Sequence, residues 1–74
     1  MTAEELLALL DDHALSKIKK NAWYDAAQCW TEYHAAVRQG EPLTLTNTLC
    51  DAAWSAEWWW RTVYDAQRQR EAAP

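Results

Sequence analysis

Four side chains carry the donor atoms that zinc prefers, but they are scattered along the chain. They are His13, Cys29, His34 and Cys50. Zinc sites in short chains use cysteines or histidines in close local pairs, such as CxxC or HxxxH. None of the four residues belongs to such a pair. We therefore predict no metal site and no cofactor, with both cysteines reduced and buried as small thiols and both histidines on the surface.

Nucleophilic catalysis needs a thiol or hydroxyl, a neighbouring base and a site for developing negative charge. Cys29 and His34 are the nearest thiol and base, and a separation of five positions on a helix turns their side chains well apart. Two pairs of adjacent acids lie near the start of the chain, at Glu4, Glu5, Asp11 and Asp12. Carboxylates near a helix N-terminus complement the helix dipole and need no catalytic role. We predict that the protein is not an enzyme.

A basic and aromatic segment, SKIKKNAWY, has the residue types of a single-stranded nucleic-acid binder. It places Lys17, Lys19 and Lys20 just before Trp23 and Tyr24, and such binders combine cations with rings on which bases stack. The whole chain has seven basic and eleven acidic residues and a net charge of -4, which opposes broad phosphate binding. A nucleic-acid accessory factor is therefore an alternative, beside a simple solvated junction between helices.

The composition is typical of an interaction surface. Seventy-four residues form one domain near the size at which a single core is barely sufficient. Half of the residues are apolar, but fourteen of these are alanines, and the aromatics are six Trp and three Tyr with no Phe. Rings with a polar group suit interfaces better than deep cores. The negative charge favours a basic partner.

The location is predicted from the same composition. No run of apolar residues is long enough to span a bilayer, and the first residues, MTAEELLALLDDH, are acidic where a secretory leader is basic. We predict a cytoplasmic protein.

The helical pattern that carries these residues predicts an all-α fold. Gly40 and Pro42, in RQGEPLTLT, form the strongest breaker. Apolar periodicity predicts helices over about 3–13, 19–39 and 47–70, joined by a loop at 40–46. The expected architecture is a small three-helix bundle or a helical hairpin with an extra N-terminal helix, as a single domain over 1–74.

Capping residues predict where the helices begin. Thr2 and Glu5 have the capping-box spacing before the first helix. A break is predicted between Asp12 and Asn21, because a longer helix would place Lys19 on the apolar stripe of the second helix. Ser16 or Asn21 is the expected cap of that helix.

The third helix has a similar predicted start. Thr48 and Asp51 repeat the capping-box spacing with Asp in place of Glu, and Thr44 or Thr46 offers an earlier start.

The three consecutive tryptophans, Trp58 to Trp60, point in three directions on a helix. Trp60 is predicted to face the core, opposite the small residues Ala22 and Ala26. Trp58 lies on a flank, one turn from Trp54, and Trp59 projects to the other side.

Four indoles are predicted to share the flank of the hairpin that the second and third helices form. They are Trp23, Trp30, Trp54 and Trp58. Two alternatives follow for this flank. The leucine face of the first helix lies over the rings and completes a three-helix core, or part of the surface contacts another chain.

Trp59 falls on the side of Asp25 and Glu32, with no obvious intramolecular partner. The predicted protein-binding residues are Trp59, Trp58, Trp54, Trp23, Asp25 and Glu32. They predict a non-enzymatic protein-protein interaction module with a tryptophan-rich, acidic helical surface. It would act as an adaptor subunit, or as a small phage-type or mobile-element-type inhibitor of a host protein complex. The expected partners are a second copy and a basic or nucleic-acid-processing protein, and an inert structural dimer is the remaining alternative.

Overall fold

A computed structural model describes residues 1–72, which form three helices and, over that range, no strand. The helices are α1 at Ala3–Ala8, α2 at Asp12–Arg38 and α3 at Leu43–Ala72. The two long helices form an antiparallel hairpin, and α1 packs against one end of it. The predicted all-α fold class, a helical hairpin with an extra N-terminal helix, is confirmed.

The start of α1 follows the predicted cap. Thr2 has an extended backbone, and its hydroxyl oxygen accepts a hydrogen bond from the Glu5 amide at 3.1 Å. This bond satisfies one of the amides that a first helical turn leaves without a partner. The helix ends at Ala8, earlier than predicted, because Leu9 and Leu10 donate to carbonyls only three residues back and thereby tighten the last turn.

The break between the first two helices also lies earlier than predicted. Asp11 adopts an extended backbone, and its carboxylate accepts a hydrogen bond from the Ala14 amide at 2.7 Å. Asp11 is therefore the N-cap, and α2 begins at Asp12. Ser16 and Asn21, which we expected to cap this helix, lie inside it.

Lys19 shows why α2 continues through the segment where we predicted the break. The residue is half-buried, as its place on the apolar stripe requires. Its ammonium nitrogen lies 5.1 Å from the centroid of the Tyr64 ring on α3. A lysine can bury its aliphatic stem while its charge stays over an aromatic face. The helix therefore tolerates a cation at this position.

The turn between the long helices forms at the predicted breaker. Gly40 has a φ of 71°, a left-handed conformation that favours glycine. Its amide donates to the Val37 carbonyl, and the Glu41 amide donates to the Ala36 carbonyl, each at 3.1 Å. This pair of bonds is the Schellman motif, which satisfies the last carbonyls of α2.

The third helix starts at Leu43, before the predicted position. The Pro42 carbonyl accepts a hydrogen bond from the Thr46 amide at 3.0 Å, so the helical pattern begins directly after the proline. Thr48 does not cap the helix. Its hydroxyl donates to the Thr44 carbonyl at 2.8 Å within the helix instead.

Small residues form the seam between α2 and α3. Ala22, Ala26 and Ala53 are all buried there, as the apolar stripes predict. Alanines let two helices approach closely, but they remove little apolar area from water. The seam therefore holds the hairpin together without hiding the large rings.

The cluster of larger buried side chains lies where α1 meets the hairpin. Leu7, Leu15 and Val63 form it, and Leu10, Ile18 and Ala66 pack around them. Of the residues described, Leu15 and Val63 are the largest that are fully buried. Such a small core leaves most of the aromatic surface outside it.

Arg70 ties α1 to this end of the hairpin. Its guanidinium donates to the Leu7 carbonyl at 2.6 Å and to the Asp12 carboxylate at 3.1 Å. The first bond is charge-assisted and adds a second donor to the Leu7 carbonyl, which also accepts from the Leu10 amide at 3.2 Å. Gln67 adds a hydrogen bond to the Ser16 hydroxyl at 3.1 Å between the long helices.

Candidate protein-binding surface

The short helix α1 does not cover the predicted indole flank. It packs beside Val63 and Ala66, and a cleft of about 460 Å³ between α1 and α3 is lined by residues that include Ala8, Thr62 and Ala66. Spacings of three and four residues place Trp59, Thr62 and Ala66 on one face of α3. The alternative in which the leucines of α1 lie over the flank is therefore wrong.

Two rings of α3 that point away from this cleft are the most exposed tryptophans of the chain. Trp58 is 61% exposed and Trp54 is 54% exposed. The two lie one helical turn apart and so share one face. We call Trp54 and Trp58, together with Trp30 of α2, the indole surface.

Trp30 holds one ring of the indole surface in place. Its ring centroid lies 5.2 Å from that of Trp54, and the two planes meet edge to face at 83°. The contact joins α2 to α3 and confirms that these two predicted flank residues come together. Edge-to-face pairs add about 0.5–1.5 kcal/mol to the burial of the rings. The contact with Trp30 therefore restrains the Trp54 ring.

Trp23, the fourth predicted flank residue, belongs to a different aromatic group. Its ring contacts Tyr24 edge to face at 5.1 Å, and it lines a groove together with Trp60, Lys19 and Lys20. Of the four predicted flank residues, Trp23 thus makes its ring contact within α2, whereas Trp30 and Trp54 contact each other between α2 and α3. The sequence did not identify Trp60 as a residue of this groove, because its position beside Lys19 and Lys20 depends on the register between α2 and α3.

Trp59 is less accessible than predicted. It keeps 36% of its surface in solvent, the least of the four exposed tryptophans, and lies on the face of α3 that α1 approaches. Asp25 and Glu32 are exposed on α2, and the Glu32 carboxylate accepts a hydrogen bond from the Gln28 amide group at 3.2 Å. A binding role for these three residues stays a prediction, and exposure ranks Trp58 ahead of Trp59.

Trp60 is half-buried and lines the groove with Lys19 and Lys20 of α2, and its predicted contact with Ala22 and Ala26 stays a prediction. Its ring stacks on Tyr64 with centroids 5.5 Å apart. Its indole nitrogen is buried without a hydrogen-bond acceptor, and so is that of Trp30. Buried donors of this kind are rare in folded proteins.

The charges beside the indole surface are paired. Glu57 and Arg61, on either side of Trp58 in sequence, form an ion pair at 3.1 Å one helical turn apart. The pair is partly exposed and adds little stability. Paired charges around exposed indoles match the composition of interfaces, where tryptophan and arginine are enriched.

The residues considered for chemistry are not brought together. Cys29 and Cys50 are free and half-buried rather than fully buried, and His13 and His34 are exposed. Over residues 1–72, no three of the His, Cys, Asp and Glu side chains are placed to hold a metal ion. None of the helices in this range combines the length and hydropathy needed to cross a membrane.

Comparisons with protein-family models, with curated proteins and with solved structures give no match. The features of the molecule that indicate a function are therefore the indole surface and the groove beside Trp23.

Proposed function

We propose that the chain is a non-enzymatic protein-protein interaction module that binds through its indole surface. The observation that carries the proposal is the exposure of Trp54 and Trp58 on one face, with Trp54 held against Trp30. Tryptophan is the residue most enriched among interface hot spots, and a ring already in place loses little conformational entropy on binding.

The amount of exposed surface supports a partner. The chain exposes 5568 Å², whereas a folded monomer of 8.6 kDa exposes about 4700 Å². The excess of about 900 Å² is close to the roughly 800 Å² that each protein buries in a standard interface. The radius of gyration, 15.1 Å, also exceeds the roughly 11 Å of a compact chain of this length. The large exposed surface and the elongated shape of the hairpin are both consistent with a protein that packs against a partner chain.

Two biological roles fit such a module. It serves as an adaptor subunit, or as a small phage-type or mobile-element-type inhibitor of a host protein complex. The net charge of -4 favours a basic partner, such as a protein that processes nucleic acids. A cytoplasmic location belongs to the proposal and is supported by two cysteines too few for a disulfide framework.

Truncation of Trp58 tests the proposal. The tagged protein is purified from its native host, the bound protein is identified, and its affinity is measured for the parent and for Trp58→Ala. We expect a loss of about 2 kcal/mol or more, roughly thirtyfold in Kd, with a melting temperature close to that of the parent when both proteins are dilute enough to be monomeric. Trp59→Ala is the matched control on the other face of α3, and its loss should be smaller. Equal affinities for the parent and Trp58→Ala would contradict the proposal.

We also propose that the indole surface forms a homodimer. Sedimentation at tens of micromolar should give about twice the 8.6 kDa mass of the chain. Trp58→Ala should shift the protein toward monomer, because the interface would lose a central ring. Tyr24→Ala removes a ring of similar exposure outside the indole surface and should leave the dimer intact. A monomeric parent protein would rule out this dimer.

The groove beside Trp23 supports a second candidate function, nucleic-acid binding. It brings Lys19, Lys20, Trp23 and Tyr24 together, which is the combination that single-strand binders use. A nucleic-acid accessory factor is therefore the alternative proposal. Binding through phosphates would weaken steeply with salt, whereas an indole contact would not. An inert structural dimer would show self-association without any further partner.

A further inference from the structure

The groove between α2 and α3 has aromatic walls. It has a volume of about 300 Å³, and Trp23, Tyr24 and Trp60 line it. Trp60 is stacked on Tyr64, and Trp23 is held edge to face against Tyr24, so both sides of the groove are braced by ring contacts. Such walls favour a flat or branched apolar group.

The groove is locally basic on an acidic protein. Lys19 and Lys20 line it, and no acidic residue does. The other polar lining residues, Ser16 and Gln67, are neutral and hydrogen-bonded to each other. The Arg68 guanidinium lies close by, 5.9 Å from the centroid of the Tyr64 ring. An occupant with a negative charge is therefore favoured here, despite the net charge of the chain.

The Trp60 ring lines the groove, but its indole nitrogen is itself buried. The ring surface, rather than the N–H group, is therefore what Trp60 offers to an occupant.

We propose that this groove binds the free C-terminal carboxylate of a partner polypeptide that ends in a large apolar residue. The inference goes beyond the proposed function, because the groove is lined by none of the three residues of the indole surface. The terminal carboxylate pairs with Lys19 and Lys20, while the apolar side chain lies between the rings.

The chemistry of the lining favours this occupant over others. The two lysines favour an anion, and the three rings favour an apolar body beside it. An Asp or Glu side chain has the charge without the apolar body. An oligonucleotide offers phosphates and bases to the same groups, and it is therefore one of the competing probes in the test below.

Indole resonances in an amide correlation spectrum of the full chain provide the test. The probe is N-acetyl-Ala-Phe with a free carboxylate, and the matched probe is the same dipeptide as its C-terminal amide. We expect the free acid to shift the Trp60 and Trp23 indole resonances saturably, with a Kd in the millimolar range. The amide should bind at least about tenfold more weakly, because it lacks the charge. Trp60→Phe assigns the Trp60 resonance.

Two lysine substitutions, one inside the groove and one outside it, provide a control within the protein. Lys20→Gln should weaken the free acid about tenfold, whereas Lys17→Gln, an exposed lysine outside the groove, should not. Equal shifts from the acid and the amide, or the same shifts from inorganic phosphate or a thymidine oligonucleotide, would overturn the inference. If the dipeptide acid fails to bind while Trp58→Ala still weakens partner binding, only the groove inference is lost.

Discussion

Leu15→Ala should lower the free energy of unfolding by about 2–5 kcal/mol, the range for leucine truncations in packed cores. Leu15 is fully buried and packs with Leu7 and Val63 where α1 meets the hairpin. A chain of this size has a total stability of only about 4–11 kcal/mol. The variant should therefore be partly unfolded at physiological temperature, as measured by urea denaturation followed by circular dichroism.

The matched control for this substitution is Leu43→Ala. Leu43 is 77% exposed at the start of α3, so the same chemical change should alter stability by no more than about 0.5 kcal/mol. Equal unfolding midpoints for the two variants would mean that the contact between α1 and the hairpin adds no stability. The small core described here would then be wrong.

Trp60→Ala should destabilise the protein by about 3 kcal/mol, the lower end of the range for large aromatic truncations. The value lies at the lower end for two reasons. Trp60 keeps part of its surface in solvent, and its removal eliminates a buried indole donor that has no acceptor. The stacking contact with Tyr64 is lost as well. Thermal melting followed by circular dichroism measures the change.

Two further variants separate the contributions of the Trp60 ring and its N–H group. Trp60→Phe keeps most of the aromatic surface and removes the unpaired donor, so its loss should be well below that of Trp60→Ala. Trp58→Ala removes an indole of the same size from the exposed face and should leave melting almost unchanged at a concentration at which the parent is monomeric. If Trp58→Ala and Trp60→Ala melt at the same temperature, Trp60 does not contribute to the packing of the hairpin.

The features predicted from sequence are those that depend on neighbours along the chain. The all-α fold, the cap at Thr2 and the turn at Gly40 each follow from local hydrogen bonding or backbone preference. The small-residue seam at Ala22 and Ala26 follows from helical periodicity. These properties need no knowledge of which helix packs where.

The start of α2 depended partly on the tertiary structure. Lys19 on the apolar stripe favoured a later start, with Ser16 or Asn21 as the predicted cap, whereas Asp11 is the N-cap in the structure. The ring of Tyr64, forty-five residues further along the chain, makes that lysine acceptable. No local pattern relates the two residues, because their contact depends on the register of the hairpin.

The candidate sites depended on the tertiary structure most of all. Sequence periodicity placed Trp58, Trp59 and Trp60 in three directions, but it did not say which direction α1 would cover. The packing of α1 beside Ala66 leaves Trp58 the most exposed ring of the three and brings α1 to the face of Trp59. The groove likewise exists because an antiparallel register sets Trp60 against the lysines of α2. Helical spacing orients each side chain about its own axis, whereas exposure and pairing depend on where the other helices pack.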